Sequence, residues 1–326
     1  GRDGIFTKKK VLQAGYSPSE ILHREAEVKQ IANILVPVLK GEKASNVFVY
    51  GKTGTGKTLT AKFVLDELNS TAEKKNINLK VVYLNCKLKR AADTEYRLIA
   101  QLLREFGISV PVTGLPTEEL YRLFYGTLTG FGGVTLLVLD EIDYLVKKAG
   151  DGFLYNLTRL PENTEAQVSL VGVSNDVTFP TQLDPRVKSS LSEEEVIFPP
   201  YNALQIQDIL RARADIAFGE GVLEQGVVEK CAAYAAREHG DARRALELLR
   251  VAGEVAEREE SKSVALCHID QAEKKIDRDT LYDLVATQPK QYHFVLNSIL
   301  NLCEGGKKTF TGDVYTLYRN RSTNSN

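Results

Sequence analysis

The chain has 326 residues, with 42 Lys and Arg against 43 Asp and Glu and a formal net charge of −1. That length allows about two or three domains, and the balance argues against nucleic-acid binding by bulk charge, leaving only local patches for such contacts. Cys86, Cys231, Cys267 and Cys303 stand far apart with no C-x-x-C pair, which argues against a zinc site or disulfide framework and fits a reducing cytosolic setting; no apolar run is long enough to span a bilayer, and no signal peptide opens the chain.

In chain order, residues 1–10 are polar, end in Lys8-Lys9-Lys10 and read as a solvated tail. Pro18 marks a turn, and Ser19 or Glu20 is placed to begin a helix. A helix over about 25–39 carries Val28, Ile31, Ile34, Leu35 and Val38 on one face. Just before it, Ile21 and the backbone of Leu22 and His23 offer either a wall for a nucleotide base or a plain core staple. Asn46 to Tyr50 is an apolar, β-prone run. Gly51-Lys52-Thr53-Gly54-Thr55-Gly56-Lys57-Thr58 then matches G-x-x-x-x-G-K-[ST], and a helical pattern starts at Leu59. Glycines in such a loop let several N–H groups converge on one anion. The helix amino end adds partial positive charge, Lys57 reaches β- and γ-phosphates, and the Thr58 hydroxyl is suited to Mg²⁺.

Leu79 to Cys86 reads as a second buried strand. Two helices follow, about 94–106 and 117–128 with Thr117 as N-cap. They are joined by a Pro/Gly turn and are expected to form a protruding hairpin. Val134 to Glu141 is an apolar strand ending in Asp140-Glu141. About eighty residues beyond a phosphate loop, such an ending is the second half of an ATPase site. Asp140 can hold Mg²⁺ through water, and Glu141 can orient or deprotonate the attacking water. A helix over about 152–160 precedes a strand over 167–176. There Asn175 reads either as a holder of the attacking water or a γ-phosphate oxygen, or as a plain turn residue.

Asp184-Pro185 starts a short helix bearing Arg186 and Lys188, and a strand over 195–198 ends at Pro199-Pro200-Tyr201, the expected boundary between two domains. Helices are expected over about 202–218, 224–238, 241–258 and 268–276, with Asp241 capping the third. Arg243 lies in that helix's first turn, where a cation gains nothing from the dipole. It either faces an anion or is simply solvated. Residues 279–326 carry helices over about 279–286, 291–300 and from 311 to 318. This last piece, of about 48 residues, looks unfinished. The chain has no methionine, not even at position 1, as a fragment or a sequence from which methionines have been lost would.

Taken together, Tyr16 to Glu25, Asn46 to Thr58, Leu136 to Asp143, Gly172 to Asp176, Asp184 to Tyr201 and Glu238 to Arg250 resemble an AAA+ ATPase. More narrowly, they resemble the archaeal replication initiators related to the origin recognition complex large subunit and the cell-division-cycle helicase loader. The resemblance implies an α/β fold with a P-loop parallel sheet over 1–198, a helical lid over 199–278, and the start of an incomplete winged-helix domain over 279–326. It assigns Lys57 and Thr58 to Walker A, Asp140 and Glu141 to Walker B, Asn175 to sensor 1 and Arg243 to sensor 2. ATP or ADP with Mg²⁺ would contact Gly51, Thr53, Gly54, Thr55, Gly56, Lys57, Thr58 and Leu59, together with Ile21, Tyr201 and Arg243. Thr58 and Asp140 would face the metal.

By the same resemblance, the 87–130 hairpin would touch DNA through Val112 to Leu115. The family's later recognition helix and wing are absent. Related ATPases carry Ser-Arg where this chain has Ser189-Ser190, which leaves Arg186 as the nearest arginine for action in trans. The implied activity is a slow ATP switch marking double-stranded origin DNA in the cytoplasm, associated with the nucleoid. Its implied partners are an MCM-type replicative helicase and other initiator paralogues, with no membrane. A hexameric motor would need an aromatic-apolar-Gly pore loop, which Cys86-Lys87-Leu88-Lys89-Arg90 does not supply. A nucleotide-occupied protein scaffold without DNA binding is the other alternative.

Overall fold

The computed structural model describes residues 4–88, 93–111, 113–158, 165–191, 193–304 and 310–323. Its centre is a parallel sheet of five strands in the order β2-β3-β4-β1-β5. The strands are β1 (Val47–Tyr50), β2 (Leu79–Asn85), β3 (Val134–Asp140), β4 (Gln167–Ser174) and β5 (Glu194–Ile197). The period-two alternation of a strand sorts their side chains. Phe48, Leu137, Leu139 and Leu170 face one core, while Val47, Val49, Leu136, Val138 and Val171 face the other. β1 and β3 are buried along their full length, as continuous apolar runs in a parallel sheet require.

On one face pack α1 (Glu25–Leu35) and α2 (Lys57–Lys74), through Ile31, Leu35, Val64 and Leu68. The other face carries α3 (Glu95–Glu105), α4 (Thr117–Phe131), α5 (Ile142–Ala149), α6 (Gly152–Thr158) and α7 (Pro185–Leu191). Leu98, Ile99, Leu102, Leu120 and Phe124 are all buried there. The pair α3–α4 is therefore laid on the sheet and does not protrude. An amphipathic helix gains more from covering apolar strands than from standing in water. In the turn between them Thr113 and Gly114 are exposed and Leu115 packs inward; Val112 lies outside the described residues, as do Lys89 and Arg90.

Three local expectations need correction, and one helix is new. The helix over 25–39 ends as an α-helix at Leu35 and continues as a 3-10 turn over Val36–Lys40, because Pro37 has no N–H to extend it. Thr117 is the first helical residue of α4, and Pro116 takes the N-cap. The strand expected over 167–176 stops at Ser174, leaving Asn175 just beyond it. α5 was not anticipated; it starts at once after Glu141, whose left-handed backbone (φ 56°) breaks the strand.

Beyond Pro199-Pro200 the chain is helical. In α8 (Ala203–Ala217), the Asn202 side chain accepts from Gln205 N at 2.9 Å, and Gln205 Oε1 accepts from Asn202 N at 3.0 Å. This reciprocal cap fixes the helix start. α9 (Val227–Arg237), α10 (Ala242–Arg258) and the first half of α11 (Leu266–Ala286) complete a separate core around Leu210, Ala245, Leu249 and Ile269.

The amino-terminal stretch belongs to that core. Ile5, Val11 and Leu12 are buried in it, the Phe6 ring lies 4.9 Å from that of Phe218, and Thr7 N donates to Ala217 O at 2.8 Å. The solvated tail expected for residues 1–10 is thus, from Ile5 onward, a strap on the helical unit. Its three lysines sit between the apolar pairs Ile5-Phe6 and Val11-Leu12 and mask them in the sequence. The helices expected separately over 268–276 and 279–286 are one 21-residue helix, since Asp277-Arg278-Asp279 has no glycine or proline to stop it. Its last core residue is Ile276. Past that point Leu281, Tyr282 and Leu284 are exposed, and α12 (Lys290–Glu304) and α13 (Thr311–Thr323) pack on each other. No described helix is long and apolar enough to cross a membrane.

A candidate nucleotide cleft between sheet and lid

In a parallel sheet the carboxyl ends of the strands share one edge, and ligands gather there. β4 lies between β1 and β3, so the loop after β1, Asn175 after β4 and Asp140 ending β3 fall side by side. α2 begins at Lys57 with left-handed Gly56 as N-cap and no side-chain cap. Its first amides are therefore open to a ligand, and the helix dipole favours an anion at that point.

Lys57 is only 4% exposed, and its Nζ donates to Lys52 O at 2.6 Å. Burial first, and then the Arg243 guanidinium, push its pKa down to about 8 against the opposing pull of Asp140, Asp241 and Asp143. The Lys57 and Arg243 charges thus repel one another, a repulsion that a polyanion beside both would relieve. Thr58 Oγ1 lies 3.1 Å from Asp140 Oδ2. Asp140, itself buried, also accepts from the Tyr83 hydroxyl at 2.5 Å and from Glu141 N at 3.0 Å. Burial, with Asp140 as partner, holds the Tyr83 hydroxyl protonated and far above its usual range, so it acts as a donor. Its ring is covered by Lys62 Nζ at 4.3 Å.

Facing the loop is the start of α10. Asp241 caps it, accepting from Arg243 N at 2.8 Å and Arg244 N at 3.2 Å. Ala242 N donates to Gly54 O at 3.2 Å. Gly54 (φ +75°) sits so near Asp241 that any Cβ there would overlap the carboxylate; loop and lid turn meet backbone to side chain. Between them opens a cleft of about 300 Å³ lined by, among others, Ile21, Gly54, Thr58, Leu59, Tyr201 and Arg243. Ile21 is buried yet lines this cleft instead of joining any of the three apolar cores, which favours the base wall over the staple.

The structure brings together most of the expected residues. Gly56 also lines the cleft, and Thr55 is buried beneath it with Oγ1 donating to Lys52 O at 2.8 Å. Gly51, Thr53 and Lys57 belong to the same loop and its helix start, and Asp140 ends β3, but none of the four is among the lining residues. Glu141 is half-buried at the end of β3, and Asn175 is exposed at the end of β4; neither lines the cleft. Arg186 is exposed and grips Asp184 in a two-pronged pair, Nε to Oδ1 at 3.1 Å and Nη2 to Oδ2 at 3.2 Å.

Sequence reasoning missed three residues. Tyr83 orients Asp140. Arg213, buried, donates to Val11 O at 2.9 Å and lies 4.5 Å from the Tyr16 ring centre, tying the strap to α8. Arg24 is 2% exposed and donates to Thr55 O in the loop. Of these only Arg24 left a signal, as a cation immediately before a core-facing helix.

Comparison with known proteins places these features. Residues 40–177 match the family described as AAA domain, and residues 207–274 match the Cdc6 AAA+ ATPase-type lid domain. The ORC1-type DNA replication protein of Thermococcus onnurineus is 51% identical over 323 residues, covering 97% of this chain and 77% of that protein. ORC1-type DNA replication protein 1 of Methanosarcina mazei is 50% identical over 321 residues, covering 97% and 76%. The Aeropyrum pernix ORC1 protein, solved in complex with DNA, superposes with a TM-score of 0.86 at 45% identity, over 97% of this chain and 81% of that one.

Proposed function

This chain belongs to the ORC1-type DNA replication proteins, and from that premise we propose that it is an ATP-binding replication initiator that marks double-stranded origin DNA and helps bring an MCM-type helicase to it. One observation carries the nucleotide part. Lys57 at the head of α2 and Arg243 at the head of α10, which lines the cleft, repel one another, and the Arg243 charge helps hold the Lys57 pKa down, a pairing that triphosphate would turn from repulsion into shared attraction.

In this reading the open amides at the start of α2 hold the phosphates, and Ile21 and Tyr201 flank the base side. Asn175 and Arg243 sense the far phosphate, and Glu141 positions a water for slow hydrolysis. The oxygen donors suit magnesium. Thr58 and Asp140 stand 3.1 Å apart at the loop. No cluster of three His, Cys, Asp or Glu occurs among the described residues, in keeping with an ion that keeps its waters and borrows phosphate oxygens. When bound, the ion would neutralise phosphate charge; Thr58 and Asp140 would hold it.

Three units follow from the same reading: a nucleotide-binding unit to about residue 198, a lid over 199–278, and the opening of a winged-helix domain after 279. DNA contact is assigned to that last piece and to the turn containing Thr113, Gly114 and Leu115, and other initiator copies are its further partners. The setting is the cytoplasmic nucleoid.

The test is a titration with fluorescent duplex DNA at rising salt. Phosphate contacts release counterions, so affinity should fall steeply, by a slope of about −0.9 per phosphate on a log–log plot. No binding at low salt, with nucleotide affinity intact, would favour the protein scaffold.

A further inference from the structure

Arg24 is a guanidinium shut away from water at 2% exposure. Such burial is costly unless the donors are met. Two of its three hydrogen-bond partners come from distant parts of the chain. Nε donates to Thr55 O at 2.9 Å, Nη2 to Pro199 O at 2.5 Å and Nη1 to Glu27 Oε1 at 3.2 Å. The flat face lies 3.9 Å from the Tyr201 ring centre and 5.3 Å from that of Phe198. Thr55 belongs to the phosphate loop, Pro199 to the crossing into the lid, and Tyr201 to the lid core.

Tyr201 is itself wedged. A Cβ on Gly56 would sit 2.6 Å from its hydroxyl, and a Cβ on Gly240 would overlap its backbone carbonyl. Gly240 leads directly into Asp241, which touches Gly54, and Arg243 follows two residues later. A short, fully packed route therefore joins Arg24 to the arginine that faces the cleft.

We propose that Arg24, stacked on Tyr201, is the positioning joint that holds the lid turn against the phosphate loop, so that Arg243 distinguishes ATP from ADP only while that joint is closed. The proposal rests on the reading of Arg243 given above. Only a guanidinium serves here. It bridges two carbonyls in one plane and stacks at the same time, whereas a lysine offers one point charge without a face.

The test is a double-mutant cycle on the ratio of ATP to ADP affinity, measured by calorimetry for the wild type, Arg243→Ala, Arg24→Lys and the pair. Arg243→Ala should lower the ratio about tenfold, within the usual span of coupling between sites. Arg24→Lys should lower it comparably, and the double substitution should add no more than about twofold. Additive losses, near 100-fold in the double variant, would overturn the joint. An unchanged ratio in Arg243→Ala alone would defeat the lid reading and the joint with it, and is recognised from that single variant. Because both nucleotides bind folded protein, general destabilisation does not move the ratio. Should Arg24→Lys not fold, Tyr201→Leu keeps an apolar side chain in the lid core and removes the stack. Full discrimination in that variant would refute the proposal.

Discussion

The two helices that open onto the cleft begin in opposite ways. α2 starts at a left-handed glycine with no side-chain cap and no acidic residue in its first turn. α10 starts at Asp241, whose carboxylate takes the amides of Arg243 and Arg244. The first end is left for an anion from outside; the second has its own anion built in. A closed helix end has no amides to offer a phosphate, so α10 contributes to the cleft through a long side chain. That explains how a cation is tolerated in its first turn, where the dipole alone would disfavour it.

The largest way to break this contrast is to disarm the open end. Lys57→Ala should weaken ATP binding about 100-fold, the scale of losing charge-assisted hydrogen bonds in a desolvated site, with the thermal midpoint little changed; calorimetry and a melting curve check both. Next is the carboxylate beside that end. Tyr83→Phe removes the hydrogen bond orienting Asp140 and should raise the magnesium concentration needed for tight nucleotide binding about 10- to 100-fold. Affinity without magnesium should stay near wild type.

Proton linkage sharpens the comparison further. Lys57 titrates near 8 when folded against its ordinary 10.5. Between those values the unfolded chain holds a proton that the folded chain has lost, so the free protein should gain stability as pH rises from about 8 to 10.5. ATP affinity should move the other way, falling above about pH 8 by up to about tenfold per unit. Because the Arg243 charge helps depress Lys57, Arg243→Ala should shift that fall to higher pH, seen in affinity measured against pH. The smallest effect is at the closed end. Asp241→Ala should cost about 1 kcal/mol in urea denaturation, and Asp241→Asn should recover most of it.

What could be read before the structure was what sits close together in the chain. Gly51 to Thr58 between strand and helix, Asp140-Glu141 ending an apolar run and Asp241 opening a helix are local patterns, and the fold brings the three together: Asp140 meets Thr58, and Asp241 meets Gly54. The partners of Tyr83 and Arg24 could not be read, even though Arg24 stands out before a core-facing helix, because they lie 57 residues away for one, and 31 and 175 away for the other; no periodicity encodes such pairings. The amino-terminal strap was misread for a different reason. Ile5, Phe6, Val11 and Leu12 follow neither a helical nor a strand period, since they fit a surface shaped by α8 and α10.

That strap has a mechanical consequence. Its first residues are fixed in the lid and the next run back to α1 on the sheet, while residues 199–202 cross in the other direction. The polypeptide therefore passes between the two units twice, and Arg24 fastens the two passages to each other where Nη2 meets Pro199 O at 2.5 Å. Like two cords cinched at a single knot, they part only if that guanidinium lets go.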